Sequence, residues 1–253
     1  MVVAITREVS SRFNECEITH IDRTPIDLDI ARAQHQEYIQ ALAKVGCQVI
    51  ELEEERDLPD SVFVEDTAFI LPEVAVITRP GADSRKPETE SIIQALSSYR
   101  PLVHVTAPAT VDGGDVLVLG KNIYIGMSTR STPEAVTQLQ GLLDNYGYKV
   151  IDVELTDCLH LKTAVTRIND KTLLINKNWI DPAHFAGYEL LEVDPSEPFA
   201  ANCLPIKDSI IYPTTFPKTQ EKLEQKGFKV VNVNLDELAK AEGAVTCCSL
   251  IIE

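Results

Sequence analysis

The sequence predicts an α/β fold in which five similar modules form a closed ring. One observation is a repeated order of helix, glycine and β-branched strand, which returns about every 40–50 residues and is typical of radially arranged modules. A second is that two short apolar runs, joined by a polar turn, precede each helix. A third is that the C-terminal apolar run 250–252 can pair with the N-terminal run 2–5, which would leave no exposed edge strand.

A glycine marks the end of the helical segment in four copies of the repeat. Each glycine can take the left-handed conformation of a helix C-terminus, and a strand-like run of Val, Ile or Leu follows it. The copies are residues 44–52, 145–153, 186–193 and 225–233. A fifth copy has no glycine. Its helix contains Ile92, Ile93 and Leu96 at helical spacing, Pro101 ends that helix, and residues 102–105 form its strand.

Helix starts and paired strands complete the module. Thr132, Pro133 and Glu134 predict a helix with a capping threonine and a proline in its first turn, and Pro217 opens another helix in a similar way. The paired apolar runs are clearest at 68–71 with 74–77 and at 116–119 with 123–125. Each module is therefore predicted as strand, strand, helix, strand.

An open α/β sheet is the alternative fold that this pattern leaves. The sequence contains neither the G-x-G-x-x-G pattern nor the P-loop that would favour a nucleotide-binding sheet. No linker divides the chain, so we expect one domain across residues 1–253. Apolar residues make up 44% of the chain, which is enough for a sizeable core.

The chain is strongly acidic. Its 253 residues include 23 Lys or Arg and 39 Asp or Glu, which give a formal net charge of −16. No segment collects the basic residues that phosphate neutralisation needs, so we exclude nucleic acid as a partner and favour a cationic small molecule. No apolar run is long enough to span a membrane, and residues 1–7 are too charged for a signal peptide. We therefore expect a cytoplasmic protein without a membrane partner.

Six cysteines are scattered along the chain without a Cys-x-x-Cys pair, at Cys16, Cys47, Cys158, Cys203, Cys247 and Cys248. This spacing predicts neither a zinc knuckle nor a disulfide scaffold. We expect reduced thiols, most of them small core residues.

Polar residues precede the first strand of each module, where a radial arrangement would bring them together at the central axis. They return at intervals of about 42–48 residues, one group per module. The groups are Asp60 with Glu65 and Asp66, then residues 112–115, then His160 with Lys162, then Asn202, and then Cys247 with Cys248. A Cys, a His and an Asp that converge have the composition of a nucleophilic triad, and the surplus of carboxylates favours a positively charged substrate.

Each of these residues also has a purely structural interpretation. Cys247 could be a small buried residue, and His160 a core histidine between two leucines. Glu65 and Asp66 could cap a turn, although two adjacent carboxylates in an apolar strand need a cation or hydrogen-bond donors. The Asp-Gly-Gly-Asp motif at 112–115 could be a hairpin turn.

Two arginines and one long polar segment extend the candidate site. Arg85 and Arg130 each follow a glycine-containing turn that leaves the second strand of a module, and either can hold a carboxylate through two hydrogen bonds. Residues 8–28 are polar without clear periodicity, which in a compact domain favours a lid over a linker.

The motifs at these positions resemble the dimethylarginine dimethylaminohydrolases, a family of the guanidino-modifying superfamily. The resemblance extends nearly from end to end and depends on residues 60–66, 77–85, 112–115, 159–162, 201–203 and 246–250. It implies a five-bladed α/β propeller, the pentein fold, with ββαβ modules around a pseudo-fivefold axis. The match is closer to this hydrolase branch than to the arginine deiminases.

The resemblance implies a mechanism and the residues that carry it. Cys247 would be the nucleophile, His160 the general acid and base, and Asp112 the orienting partner of His160. The expected reaction is hydrolysis of dimethylarginine or monomethylarginine to citrulline and an amine, through an alkylthiouronium on sulfur. No metal or other cofactor is expected.

The resemblance also implies seven substrate-binding residues. The guanidinium and amino ends would be bound by Asp60, Glu65 and Asp66. The α-carboxylate would be held by Arg85 and Arg130. Backbone carbonyls would contribute near Ile18 in the lid and at Ala241 before the nucleophile.

Other functions stay open at the level of sequence. One is an arginine deiminase or a hydrolase of another N-substituted guanidine. Another is a non-catalytic binding ring of the same fold, against which the joint presence of Asp112, His160 and Cys247 argues. The sequence does not decide whether the ring forms a homodimer.

Overall fold

The computed structural model describes residues 1–253, in fifteen strands, six α-helices and six 3-10 helices. The strands are β1 (Val2–Arg7), β2 (Cys47–Leu52), β3 (Ala68–Ile70), β4 (Ala75–Ile77), β5 (Leu102–His104), β6 (Val116–Leu119), β7 (Asn122–Met127), β8 (Lys149–Glu154), β9 (Val165–Arg167), β10 (Thr172–Ile175), β11 (Glu189–Glu192), β12 (Leu204–Ile206), β13 (Ser209–Pro213), β14 (Lys229–Val233) and β15 (Leu250–Ile252). The α-helices are α1 (Leu28–Lys44), α2 (Thr89–Leu96), α3 (Pro133–Leu143), α4 (Leu161–Ala164), α5 (Pro217–Gln225) and α6 (Asp236–Ala239). The 3-10 helices are Phe13–Glu15, Val64–Thr67, Asp83–Glu88, Gly113–Asp115, Asp144–Tyr146 and Pro182–Phe185.

The strands form five three-stranded sheets, which we call blades one to five. In chain order they are β3-β4-β5, β6-β7-β8, β9-β10-β11, β12-β13-β14 and β15-β1-β2. In every blade the middle strand pairs antiparallel with the first strand and parallel with the last. A parallel pair needs a crossover connection, and an α-helix supplies it in four of the blades. The predicted module is confirmed, and the single open sheet is excluded.

The two chain ends complete blade five. Val3 of β1 lies opposite Ile252 of β15 in antiparallel register, and Ile5 lies opposite Leu250. On its other side β1 runs parallel to β2. The predicted closure of the ring by its own termini is therefore confirmed.

The repeated glycines end their helical segments in the left-handed conformation. Gly46, Gly147, Gly187 and Gly227 have φ angles of 91°, 74°, 102° and 85°. A side chain at such a φ would be strained, so glycine is the residue that lets the chain leave the helix and turn into the next strand.

Two details of the helix predictions are wrong. The segment before Gly187 contains only the 3-10 helix Pro182–Phe185, which Asp181 caps, so blade three lacks a full crossover helix. Thr132 precedes α3, but its side chain does not cap that helix. Its hydroxyl instead accepts a hydrogen bond from the backbone N–H of Thr110 at 3.3 Å.

Apolar side chains form five clusters, the largest with 21 buried residues including Tyr38 and Leu42 of α1. All six cysteines are free, and five of them are buried, whereas Cys247 is partly exposed. This agrees with the expectation of reduced thiols that mostly serve as small core residues. No helix of the chain combines the length and the apolar character that a membrane crossing requires.

Candidate active site

The polar groups singled out in the repeats lie in the short segments that lead into the first strand of each blade. Glu65 and Asp66 lie in the 3-10 helix before β3 and not in a strand. The Asp-Gly-Gly-Asp motif forms the 3-10 helix Gly113–Asp115 before β6 and is not a hairpin turn. His160 is the residue before α4, and Cys247 lies in the turn before β15. Short helical turns let the chain present a side chain to the axis immediately before the strand begins.

Asp66, Asp112 and His160 meet in one buried cluster. Nε2 of His160 is 3.2 Å from Oδ2 of Asp112, and its Nδ1 is 4.0 Å from Oδ1 of Asp66. The other oxygen of Asp112 accepts a 2.8 Å hydrogen bond from the backbone N–H of Gly81. The imidazole therefore lies between two carboxylates, one of which is fixed by the backbone of the neighbouring turn.

This cluster raises the pKa of His160. Burial alone would lower that pKa, but the negative charges of Asp66 and Asp115 and the hydrogen bond to Asp112 outweigh burial and raise it to about 9. At neutral pH the imidazole is therefore cationic and can donate a proton.

Two glycines make room for the cluster. A Cβ on Gly114 would lie 2.6 Å from Nδ1 of His160 and 2.9 Å from Oδ1 of Asp66. A Cβ on Gly113 would lie 1.9 Å from the carbonyl oxygen of Glu65. Both contacts are closer than real Cβ atoms allow, so the motif needs glycine at its centre.

Cys247 lies beside the carboxylates and is linked to them through the backbone. Its carbonyl oxygen accepts a 3.1 Å hydrogen bond from the N–H of Glu65. Burial of the sulfur and the nearby charges of Glu65 and Asp66 raise the thiol pKa well above its usual range. In the free protein the thiol is therefore neutral, and a cation beside it would favour the thiolate.

Two cavities of very different size meet at Cys247 and His160, which lie in the walls of both. The larger has a volume of about 520 Å³ and includes part of the lid and Phe199 in its wall. The smaller has a volume of about 20 Å³, which is the space of a water molecule or so. Its wall contains Glu17, Asp60, Phe63, Asp66, Arg85, Arg130, Leu159, Ala241 and Glu242. Residues predicted to bind substrate thus surround the smaller space.

Arg85 is buried and already bonded to the protein's own carboxylates. Its Nη1 donates to Oδ2 of Asp66 at 2.5 Å, and its Nη2 donates to Glu88 at 2.9 Å. Burial would raise the pKa of Asp66, but the charges of His160 and Arg85 lower it to about 2. Asp66 therefore keeps its negative charge in a buried position.

The predicted lid, residues 8–28, contributes Glu17 to the wall of the smaller cavity. The backbone N–H of Glu17 donates to both oxygens of Asp60, at 3.2 and 3.1 Å. Nη2 of Arg130 donates to Oγ1 of Thr19 at 2.9 Å, while its Nη1 is buried without a hydrogen-bond partner. Burial raises the pKa of Asp60. This segment thus occupies the carboxylate of Asp60 and leaves one N–H donor of Arg130 without a partner.

Ile18 and Ala241, the remaining two candidates, are chain neighbours of the residues that join the lid to Glu242. Ala241 lies in the wall of the smaller cavity, and Ile18 packs against the largest apolar cluster from within the lid. Glu242, which has a φ of 59°, accepts hydrogen bonds from the N–H groups of Thr19 and His20 at 2.7 and 2.8 Å. Glu242 could not be predicted from the sequence, because no sequence pattern indicates the partners of a glutamate near the surface.

Asp115 and Lys162 lie in the predicted motifs, but the sequence indicates no specific role for either. Asp115 is fully buried and accepts hydrogen bonds from Ser131 Oγ at 2.6 Å and from the N–H of Leu161 at 3.0 Å. Burial raises its pKa to about 6. Lys162 donates to Oε1 of Glu65 at 2.7 Å. The signal for Asp115 was present in the sequence, since it closes the Asp-Gly-Gly-Asp motif.

The ligand atoms of Asp66, Asp112 and His160 lie within 4.8 Å of one another and are the set that could hold a metal ion. The Arg85 guanidinium already bonds to Asp66, whose second oxygen accepts from the N–H of Gly114 at 2.9 Å. These bonds, and the contact between His160 and Asp112, already use the atoms that a metal ion would need as ligands, so this set fits a proton-transfer role better than a metal site.

A family model described as "N,N dimethylarginine dimethylhydrolase, eukaryotic" matches residues 11–252. The chain belongs to the dimethylarginine dimethylaminohydrolase family. It is 37% identical to the N(G),N(G)-dimethylarginine dimethylaminohydrolase of Streptomyces coelicolor, over 98% of this chain and 95% of the relative. It is 35% identical to the protein of the same name from Pseudomonas aeruginosa, over 88% of this chain and 89% of that one.

Solved structures of the family have the same fold. The Pseudomonas aeruginosa protein, as a cysteine-to-serine variant complexed with citrulline, gives a TM-score of 0.94 at 32% identity, over 98% of each chain. A dimethylarginine dimethylaminohydrolase adduct with S-methyl-L-thiocitrulline gives 0.95 at 32% identity over the full length of both chains. The five-bladed α/β propeller expected from the resemblance is confirmed.

Proposed function

We propose that this chain hydrolyses Nω,Nω-dimethyl-L-arginine and Nω-monomethyl-L-arginine to L-citrulline and dimethylamine or methylamine. The observation that carries the proposal is the position of His160, cationic between Asp112 and Asp66 and in the same cavity walls as Cys247. Membership of the family supports it. So do the citrulline and S-methyl-L-thiocitrulline in two related structures.

Charge complementarity assigns the two ends of the substrate. The guanidinium lies against Asp66, which stays ionised. The positive charge of the guanidinium replaces part of the hydration that the Asp66 carboxylate loses by being buried. The amino acid end fills the smaller cavity, where the unpartnered Nη1 of Arg130 binds the α-carboxylate and Asp60 binds the α-amino group. The carbonyls at Ile18 and Ala241 are proposed as further acceptors for that amino group.

Glu65 and Arg85 act in this proposal mainly through charge and support. Both oxygens of Glu65 already accept hydrogen bonds, from Lys162 and Thr246, at 2.7 Å each. Arg85 holds Asp66 in place and adds positive charge to the wall that faces the α-carboxylate. Neither side chain needs to leave its present partners for the substrate to bind.

The first half-reaction breaks the carbon–nitrogen bond. The bound guanidinium lowers the pKa of Cys247, whose proton leaves to solvent because His160 already carries one. The thiolate then attacks the guanidinium carbon, forming a carbon–sulfur bond. His160 gives its proton to the departing dimethylamine, and an alkylthiouronium stays on sulfur.

The second half-reaction restores the thiolate. The now neutral His160 takes a proton from a water molecule, and the resulting hydroxide attacks the thiouronium carbon. The carbon–sulfur bond breaks with its electron pair going to sulfur, the hydroxyl proton of the intermediate leaves to solvent, and citrulline is released. Asp112 holds the imidazole in place throughout and stabilises its charged form.

The proposal is tested by incubating the protein separately with dimethylarginine, monomethylarginine and arginine and measuring citrulline, amine and ammonia. We expect citrulline with an equal amount of methylated amine. We expect Cys247→Ser and His160→Gly to lose turnover, with Cys248→Ser as the matched control that retains it. Ammonia from arginine as the main product would instead identify an arginine deiminase.

A further inference from the structure

Five polar groups, one from each blade, are joined by hydrogen bonds, and we call them the ring. Glu65, Lys162, Asn202 and Thr246 close a cycle, and the carbonyl of Gly113 is bonded to Lys162. The side chain of Glu65 comes from blade one, the carbonyl of Gly113 from blade two and the side chain of Lys162 from blade three. Asn202 comes from blade four and Thr246 from blade five. Blade four supplies no residue of the proposed triad and no substrate contact, so Asn202 has no role in the mechanism above.

Asn202 connects two blades through three hydrogen bonds. Its Nδ2 donates to the carbonyl of Lys162 at 3.1 Å and to Oγ1 of Thr246 at 3.0 Å. Its Oδ1 accepts from the backbone N–H of Thr246 at 3.1 Å. Both N–H donors and the oxygen of the amide therefore have partners, and these determine its orientation.

Thr246 and Lys162 close the ring through Glu65. Oγ1 of Thr246 donates to Oε2 of Glu65 at 2.7 Å, and Nζ of Lys162 donates to Oε1 at 2.7 Å. Nζ of Lys162 also donates to the carbonyl of Gly113 at 3.1 Å. Asn202, Thr246 and Glu65 thus form a chain in which each donor points to the next acceptor, an arrangement that strengthens the bonds it contains.

Each other ring member is a close chain neighbour of a residue in the candidate site. Gly113 follows Asp112, Thr246 precedes Cys247, and Glu65 precedes Asp66. Lys162 lies two residues after His160. The ring therefore joins the backbones that carry all of the proposed reacting groups.

The ring fixes the backbone on both sides of the nucleophile. The N–H of Thr246 is held by Asn202, and the carbonyl of Cys247 accepts from the N–H of Glu65 at 3.1 Å. Asn202, Thr246 and Glu65 are all buried, so an unpaired member could not be compensated by bulk water.

We propose that Asn202 and Thr246 are positioning residues of the hydrolase, which hold the Cys247 sulfur in line with the guanidinium carbon and with His160. This inference rests on the proposed function. A displacement of about 1 Å in such a geometry costs about 100-fold in rate. The ring is then a requirement of the chemistry and not only of the fold.

The test compares Thr246→Val, which keeps the shape and loses the hydroxyl, with Thr246→Ser, which keeps the hydroxyl. We expect Thr246→Val to lower kcat by about 100-fold with KM changed less than about threefold, and Thr246→Ser to recover most of the rate. Asn202→Ala should have the same signature. Thr219→Val is the control, because Thr219 is a buried threonine whose hydroxyl accepts from the N–H of Asp194 at 3.0 Å in blade four, outside the ring.

A purely structural role predicts a different result. Thr246→Val and Thr219→Val would then lower the melting temperature alike and leave kcat of the folded protein unchanged, which would overturn the proposal. Thr246→Ser as slow as Thr246→Val would overturn it too. If Asn202→Ala does not fold, the Thr246 pair decides the question by itself.

The rate of Cys247 alkylation separates this inference from the proposed function. A haloacetamidine carries an amidinium cation, whereas iodoacetamide is neutral. The ratio of their alkylation rates therefore measures how well the Cys247 thiol is aligned with the cation site, and no turnover is needed to measure it. We expect that ratio to fall about tenfold or more in Thr246→Val and to stay unchanged in Thr219→Val. An unchanged ratio in Thr246→Val contradicts the ring proposal, whereas a wild-type protein that forms no citrulline contradicts the proposed function.

Discussion

Nε2 of His160 lies 3.2 Å from Oδ2 of Asp112, and the opposite ring nitrogen faces Asp66 at 4.0 Å. Three segments that are far apart in the chain bring these groups together, each immediately before the first strand of its blade. These two carboxylates, together with that of Asp115, keep the imidazole protonated at neutral pH despite its burial. This pairing leads to the first prediction.

Replacing Asp112 with asparagine is expected to lower the pKa of His160, since one of the negative charges that raise it is removed. An opposite charge at this distance accounts for about one pH unit or more. The amide oxygen of the introduced side chain can still accept from the N–H of Gly81, so the local fold is retained. NMR titration of His160 measures the shift. An unchanged pKa of His160 near 9 in Asp112→Asn would show that Asp112 does not determine the charge of the imidazole.

The same pairing predicts a pH dependence of stability. The pKa of His160 is about 9 in the folded protein against 6.5 for an unperturbed histidine, so folding favours its protonated form. The stabilisation is complete below pH 6.5 and is lost as the pH rises through 9. Urea unfolding at a series of pH values should show this loss in the wild type and less of it in Asp112→Asn. Identical slopes for both proteins would contradict the prediction.

Binding of a cation is expected to lower the pKa of the Cys247 thiol. In the free protein burial and the charges of Glu65 and Asp66 raise that pKa. A guanidinium beside the sulfur offsets those charges. The measurement is the thiolate absorbance as a function of pH, with and without an unreactive amidinium, in a variant with Cys248 replaced by Ser. The same titration midpoint in both samples would refute the idea that the substrate helps to ionise its nucleophile.

Gly114→Ala is expected to reduce activity strongly, because its Cβ would lie 2.6 Å from Nδ1 of His160. The imidazole or the Asp66 carboxylate must then move, and a shift of about 1 Å costs about 100-fold in kcat. Gly141→Ala in α3 is the matched control, since nothing lies within 4 Å of the added Cβ there. Gly141 is exposed on that helix, so Gly141→Ala should gain about 0.5–1 kcal/mol of stability at unchanged kcat. Equal activities of the two variants would show that the motif tolerates a side chain.

Arg130→Ala is expected to raise KM for dimethylarginine by about tenfold or more, because the buried Nη1 would no longer bind the α-carboxylate. A dimethylguanidino substrate without the carboxylate should be processed equally by the wild type and the variant. Steady-state kinetics with both substrates measure the difference. A parallel loss for the two substrates would place Arg130 in the fold and not in recognition of the carboxylate.

The lid must move for the substrate to bind, since the smaller cavity holds about 20 Å³ and Asp60 is occupied by the N–H of Glu17. Glu242→Ala removes the acceptor for Thr19 and His20 and should loosen the closed lid. We expect KM to rise several-fold, because a loosened lid no longer closes again to place the proposed Ile18 contact on the bound amino group. Hydrogen exchange should accelerate within residues 8–28. Glu221→Ala on the exposed face of α5 is the control. Unchanged exchange in the lid of Glu242→Ala would show that other contacts hold it closed.

The ring of five modules could be predicted from sequence because its causes are local. Short segments determine both features of the module. One is a glycine after the helix, such as Gly46 with a φ of 91°, and the other is a pair of apolar runs joined by a polar turn. Closure followed from the two terminal runs, whose pairing of Val3 with Ile252 is direct. Blade three is the exception, because the 3-10 helix Pro182–Phe185 connects its parallel strands where we expected an α-helix.

The polar groups before the first strand of each blade could be located from repeat spacing, whereas Ile18 and Ala241 followed only from the family resemblance. The hydrogen-bond partners of these residues could not be predicted. Arg85 has the sequence context of a surface arginine, yet Glu88 and Asp66 hold it in the interior. Asn202 and Thr246 lie 44 residues apart in the chain and bond only because blades four and five are adjacent in the ring. Partnerships of this kind depend on the packing of blades, and no short sequence pattern records them.

The central claim is that Cys247 is the nucleophile of a guanidine hydrolase, and covalent trapping tests it most directly. The protein is incubated with a haloacetamidine, with and without dimethylarginine, and its six cysteines are examined by peptide mass spectrometry. We predict one amidine adduct, on Cys247, which appears in step with the loss of citrulline formation and is prevented by dimethylarginine. Loss of activity with the adduct on Cys248, or with Cys247 unmodified, would contradict the account.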